Sequence, residues 1–351
     1  MRSASLTLLA GLLLSPALTP AEEPCAPVKP CEVTGMEAPG EAPAELAAEA
    51  RSWFDLLSCR ATPPGLDAKT VAAFCARQRP ALAAYRDRTL AALRDALAPV
   101  RGQRVPTAVV QPLAGADLFG ALAAYPDARS VTTLSSVPFG DVRAFGRLRD
   151  RARLRALLDA VAAASAPLLA GRSAATPPAV PAFALFLTAL AAHGDEPVSL
   201  RYFRVEPQGG LHFLTTTELA APARDAGPFD SAELTYVRQG EDPAADVRVH
   251  RHLAGDTSDA TLARDPGLLA YLEARGKIAV LVRGTGAALA AEGKLLAALL
   301  GRATVVLGDR TAPTADAALA AGLTREAHPA KVPFGASPAG AADGIVVLRR
   351  P

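Results

Sequence analysis

Two short stretches set glycine and charge where a strand gives way to a helix, and these are where this chain could hold a ligand. The first is Gly115-Ala116-Asp117, between the apolar run 105–111 (VPTAVVQ) and a short helix expected at about 116–124. A helix N-terminus beyond a strand end favours anions. Asp117 itself stands where an N-cap or first-turn carboxylate is expected, and capping accounts for it without a ligand. The second is Arg283-Gly284-Thr285-Gly286, after the run 278–282 (IAVLV). Such a turn can bring backbone amides to a phosphate. Leu289, however, stands where the fingerprint needs its third glycine, and no Walker lysine follows, so a tight turn is the simpler reading. Asp309 follows a third run, 304–307 (TVVL). If strands ending at Gln111, Ser135, Val282 and Leu307 run parallel, their loops meet on one sheet edge. That edge would gather Gly115, Asp117, Arg283, Gly284 and Asp309 as candidate ligand-binding residues, a mixture suited to a small polar or zwitterionic ligand.

Other chemistry is harder to find. The strand expected at 130–135 ends in Ser135-Ser136, not in the acidic residue that would hold a ribose hydroxyl, and no cofactor is expected. His250 and His252 leave one face of a strand, and with His212 they could share a metal. Val247, Val249 and Leu253 mark the opposite face as the buried one, so the histidines are expected in solvent beside Arg248, with no metal bound. Arg143, Arg147, Arg149, Arg151, Arg153 and Arg155 make one helix basic, with Phe145, Leu148 and Ala152 on its apolar side. No aromatic side chains interleave the arginines for base stacking, so a solvated face is expected and nucleic acid is not. There is no Gly-x-Ser-x-Gly elbow and no His-Glu-x-x-His.

These residues need elements to position them. Residues 44–58 and 67–98 carry helical spacing and predict a helical hairpin, with Pro80 kinking or breaking its second half. The runs 105–111 and 130–135 enclose a helix and predict a compact βαβ unit. A long helix is expected over 141–170 and an apolar one over 179–192. The runs 198–205 and 211–216, across Gln208-Gly209-Gly210, read as a hairpin, and two more strands follow at 232–238 and 246–253. A helix at 266–275 leads to a second βαβ unit over 278–307, with a helix at 286–300, and a last strand spans 344–349. Crossovers imply parallel pairs and short turns antiparallel ones. The expected fold is therefore α/β, a mixed parallel/antiparallel sheet flanked by helices and preceded by an N-terminal helical hairpin. The organisation is 1–21 signal peptide, 22–43 Pro-rich linker, 44–99 hairpin packed on the main domain, and 100–351 mixed α/β domain.

The chain has 351 residues, half of them hydrophobic, 21% charged, and a net charge of +2. That composition supports a core and excludes a wholly disordered or collagen-like chain, and near-neutrality argues against a dedicated polyanion or membrane-surface binder. Met1-Arg2-Ser3, the apolar run 4–18, and Thr19-Pro20-Ala21 before Glu22 have the layout of a secretory signal peptide. A membrane span needs roughly 20 apolar residues, and none is expected in the mature chain. Export gives meaning to Cys25, Cys31, Cys59 and Cys75. Four cysteines allow three connectivities, of which Cys25–Cys31 with Cys59–Cys75 is favoured; the spacings do not match a zinc site.

Residues 109–128 (VVQPLAGADLFGALAAYPDA), followed by VTTLSSVPFGD at 131–141, resemble a family of exported bacterial proteins of unknown function. Its motif reads Tyr-Pro-x-x-Gly-Pro-Asp, then an aromatic-Pro-x-Ala. Pro112, Gly115, Asp117, Tyr125, Pro126 and Ala128 match it, whereas Gln111 replaces the tyrosine and Ala116 the second proline. Leu200 to Pro313 is similar in layout. Relatives show Ser-Tyr-Leu-Leu-His and Asp-Asp-x-Gly-x-Pro where this chain has Val-Leu-Val-Arg and Gly308-Asp309-Arg310-Thr311-Ala312-Pro313. The resemblance implies a fold family and a periplasmic or secreted location, and no activity. The residues themselves point to a binding or accessory module for a small polar ligand or an envelope protein. A transferase-like enzyme using the carboxyl-end crevice is the first alternative, and a metal-assisted hydrolase the second.

Overall fold

In the computed structural model, residues 42–101, 106–113, 115–221, 227, 229–309, 314–329 and 344–351 are described. The signal-peptide segment, most of the Pro-rich linker and Cys25–Cys31 lie outside them.

The expected helical hairpin forms first. Helix α1 (Ala47–Leu57) buries Trp53, Phe54, Leu56 and Leu57, and α2 (Ala68–Ala84) opens on Asp67, whose carboxylate accepts from the Thr70 amide at 2.8 Å. Pro80 lies inside α2 without ending it. A π-helical turn at Tyr85–Leu90 carries the chain into α3 (Ala91–Arg101). Cys59 and Cys75 form a disulfide, with Cα atoms 5.5 Å apart.

The first βαβ unit is β1 (Ala108–Pro112), α4 (Leu118–Ala124) and β2 (Ser130–Ser135), its strands parallel and in register from Ala108–Ser130 to Pro112–Leu134. The long helix expected over 141–170 is divided. Asp141 and Asp150 each turn a carboxylate back onto the chain, to the Arg143 amide at 2.9 Å and the Arg153 amide at 2.8 Å. Such caps compete with helix continuation. A 3₁₀ stretch, Val142–Arg149, therefore precedes α5 (Arg151–Leu169). The arginines Arg149, Arg151, Arg153 and Arg155 are exposed, and Asp67 and Asp159 pair with Arg151 and Arg155. Helix α6 (Ala182–His193) is buried from Ala182 to Ala192, as its apolar run predicts.

Strands β3 (Asp195–Val205) and β4 (Leu211–Phe213) form the expected hairpin. After α7 (Thr216–Ala220) come β5 (Ser231–Arg238) and β6 (Arg248–Ala254), antiparallel to each other. Helices α8 (Asp259–Arg264) and α9 (Gly267–Ala274) lead to β7 (Ile278–Val282). The helix expected at 286–300 breaks at Glu292 into α10 (Gly286–Ala291) and α11 (Gly293–Arg302), followed by β8 (Ala303–Asp309). Beyond it, α12 (Thr314–Ala320) and β9 (Thr324–Pro329) had no counterpart in the sequence reading. The final β10 (Gly344–Arg349) was expected.

These strands make one ten-stranded sheet, in the order β4-β3-β5-β6-β2-β1-β7-β8-β10-β9. Its centre, β6-β2-β1-β7-β8, is parallel throughout, and antiparallel strands flank it on both sides. Alternate residues of each strand enter different cores. Val109, Val131, Ala279 and Leu281 pack toward α1, α4, α5 and α6, whereas Val110, Leu134, Val280 and Val282 pack toward α8, α9 and α11. Among the described residues, no helix is long and apolar enough to cross a membrane.

Candidate functional site

The strand order creates a switch point at the sheet's centre. From β1 the chain crosses through α4 to β2 on one side, and from β7 it crosses through α10 and α11 to β8 on the other. The loops leaving β1 and β7 therefore diverge, and a crevice opens beyond the strands' carboxyl ends, the usual place for a ligand in an open α/β sheet. The five residues picked out by the sequence are brought to this edge.

Three of the five are occupied in holding the loops together. Asp117 caps α4, accepting from the Gly120 amide at 3.1 Å, and its other oxygen accepts from Arg283 Nη1 at 2.7 Å. Arg283 Nη2 donates to the Gly171 carbonyl at 2.8 Å. Both members of this ion pair are buried, at 1% and 2% exposure. The guanidinium lies so close over Gly120 that a Cβ there would sit 2.0 Å from Nη1, so this position takes only glycine. Asp309, also buried, accepts from the Gly284 amide at 2.7 Å. The start of α4, where a phosphate would bind, is thus filled by the chain's own carboxylate and covered by its own arginine.

Gly115 and Gly284 stand at the mouth of the crevice. They line a cleft of about 1010 Å³ with Ser135–Pro138 after β2, Ala254–Thr257 after β6 and Ser173–Thr176 from the α5–α6 connection. Leu113, Asp230, Thr285, Ala288 and Glu292 complete its walls among the described residues. Several hydroxyls brace those walls. Ser173 donates to the Arg283 carbonyl at 3.0 Å, Thr285 to the Pro112 carbonyl at 3.3 Å, and Thr176 Oγ1 accepts from the Ala116 amide at 2.9 Å. Gly115 adopts φ +57°, and a Cβ there would meet Thr176 Oγ1 at 2.7 Å. The sequence reading missed the β6 side of the cleft because it paired β6 only with β5. Its parallel pairing with β2, Ser130–Val249 to Ser135–Ala254, is what brings Ala254–Thr257 to the same edge.

The histidine expectation is overturned. His250 and His252 are fully buried, not in solvent. β6 is an interior strand covered on both faces, so alternation separates two cores here and not core from water. The imidazoles pack on Phe186 of α6, with ring centroids 4.4 and 5.0 Å away. Their protonation follows from their partners. The Val137 carbonyl can only accept, so His252 Nε2 carries the proton across that 2.7 Å bond. His252 Nδ1 then accepts from the Thr133 hydroxyl at 2.9 Å, and that oxygen accepts from His250 Nε2 at 2.9 Å. The chain ends on His250 Nδ1, an acceptor with no partner among the described residues. Burial holds His252 down to about 4 and His250 well below the ordinary imidazole range, so both are neutral. His212 stands on β4, three strands away in sheet order, and bonds Glu218 at 2.9 Å. Among the described residues, no three His, Cys, Asp or Glu side chains form a metal cluster.

Comparison with protein-family models, curated proteins and solved structures finds no match to this chain.

Proposed function

We propose that this protein is an exported binding module that takes a small polar ligand in the cleft at the carboxyl edge of the parallel strands. One observation carries the reading: an open cleft of about 1010 Å³ at a switch point, lined by hydroxyls, carboxylates and glycine backbone. That volume lies at the top of the usual range for small-molecule sites. The signal-peptide layout of residues 1–21, the disulfide and the likeness of residues 109–128 to exported bacterial proteins support a periplasmic or secreted setting.

The transferase alternative is weakened by the same geometry. A nucleotide cofactor needs the helix N-terminus that Asp117 and Arg283 close, and β2 ends in Ser135 where a ribose contact would be acidic. The hydrolase alternative relied on histidines free to ligate a metal, and these are locked in the core. A thermal-shift screen of polar metabolites tests the proposal, run on the natural protein and on Ser136→Trp, which puts an indole into the cleft from an exposed lining position. Ligands that raise the melting temperature should lose that effect in the variant. Hits that act equally on both proteins would place binding elsewhere and overturn the reading.

A further inference from the structure

On the face of the sheet that carries α9, a row of arginines gathers apart from the cleft, and none of them lines it. Strand register sets the row: Arg201 on β3 pairs with Glu233 on β5, and Glu233 with Arg251 on β6. Glu233 is 3% exposed, and both its oxygens are taken. Oε1 accepts from Arg201 Nη2 at 2.6 Å, and Oε2 from Arg251 Nε at 2.8 Å. Arg251 is in turn in register with Thr132 of β2, whose hydroxyl lies 3.4 Å from the Tyr271 hydroxyl of α9. The Arg275 guanidinium lies over that same Tyr271 ring, 4.3 Å from its centroid. A third arginine therefore joins the row on the Arg251 side.

Glu233 has no oxygen left for this third charge. Among the described residues, no hydrogen bond or ion pair reaches Arg275; its Nε is enclosed without a partner, whereas its two Nη atoms are open to solvent. The other carboxylate of the row, Glu45, is half exposed and lies 3.7 Å from Arg201 Nε, at the opposite end. Burial holds the Arg275 guanidinium below the ordinary arginine range; Arg251 pushes the same way, and Tyr271 and Glu233 oppose them. Arg251 and Arg275 are thus within electrostatic reach of each other. Arg251 Nη1 is likewise open and engaged by no side chain among the described residues. A partly desolvated charge without a partner costs free energy, and the planar guanidinium fork matches the oxygens of carboxylate and phosphate alike. We propose that this face holds an oxyanion site separate from the cleft, with a carboxylate or phosphate group between the Nη donors of Arg275 and Nη1 of Arg251.

Isothermal titration at low salt with inorganic phosphate and with succinate separates the two sources, since the tighter binder names the group the site takes. At least one of them should bind, one per chain. Arg275→Gln should weaken that binding about tenfold. Lys277→Gln, which removes an exposed cation two positions on, should leave it within about twofold. The variant at Arg275 loses an uncompensated charge and no hydrogen bond, so its melting temperature should equal or exceed that of the natural protein. In the natural protein, the assigned Arg275 Nε–H resonance should shift saturably with the same anion. Absence of binding by both anions, binding unchanged in Arg275→Gln, or an Arg275 resonance that does not move would overturn the proposal. An equal loss in Lys277→Gln would mark diffuse attraction to surface charge and overturn it as well. Ser136→Trp should leave the anion bound; its loss there would move the anion to the cleft, overturning the second site and supporting the first.

Discussion

Asp117 joins two elements through one carboxylate: it caps α4 and neutralises a buried arginine contributed from β7's loop. Replacing it with asparagine keeps a good cap and strands the Arg283 charge in the interior. Breaking one half of a buried pair costs about 3–5 kcal/mol, and Asp117→Asn should lose that much in urea unfolding. A loss below about 1 kcal/mol would reduce Asp117 to a cap. Gly120→Ala should be damaging for the same reason, since its methyl group would occupy the guanidinium's position. The capping role of Asp117 was legible from the strand–Gly-x-Asp–helix pattern alone. Its partner was not, because Arg283 lies 166 positions away and local spacing does not show which crossovers meet. Gly284, in the loop after β7, and Asp309, the last residue of β8 and not a loop residue as expected, do meet at one edge, whereas Thr257 and Glu292 carry no pattern that sets them apart from other polar residues.

At the scale of the element, β6 shows where alternation stops being informative. A period of two says that His250 and His252 share a face; it does not say what covers that face. In an interior strand each face meets a helix layer, and the all-apolar α6 takes the histidine side. This placement has a pH signature. An unfolded chain's imidazoles take up protons near pH 6.5. The folded chain refuses them until about pH 4 at His252, and burial likewise holds His250 well below the ordinary imidazole range. Stability therefore falls as the pH drops from about 6.5 toward 4, by up to about 1.4 kcal/mol per pH unit for each histidine. His193, held by burial at about 3, acts in the same sense. Asp195, pushed up to about 6 by burial against the pull of Arg238 and Arg248, opposes them, gaining stability as the pH falls through 6. Urea melts of His250→Leu at pH 6.5, 5.5 and 5.0 should show a slope shallower by about one proton. An unchanged slope would mean that His250 is not buried neutral.

For the whole molecule, most of the plan was legible. Apolar runs separated by helical stretches gave the parallel centre, short turns the antiparallel flank, and cysteine placement the Cys59–Cys75 bridge. The parallel pairing of β6 with β2 was not legible, because it depends on how the antiparallel flank folds back against the first βαβ unit. Neither were α12 and β9, in a stretch with weak apolar spacing. The bridge closes a span of 16 positions within the helical hairpin and touches no strand. Cys59→Ala/Cys75→Ala should therefore cost roughly 3 kcal/mol by loop-closure entropy while leaving the sheet intact by circular dichroism. Loss of the strand signal would show that the hairpin is needed to hold the sheet. The central claim, that the edge where five parallel strands end is a binding site, is tested most directly by amide chemical-shift mapping with the strongest ligand from the thermal-shift screen. Shifts should concentrate on Ser136, Val137, Gly255, Thr257, Gly284 and Thr285 around the cleft. Saturable shifts elsewhere, with those amides unmoved, would contradict it.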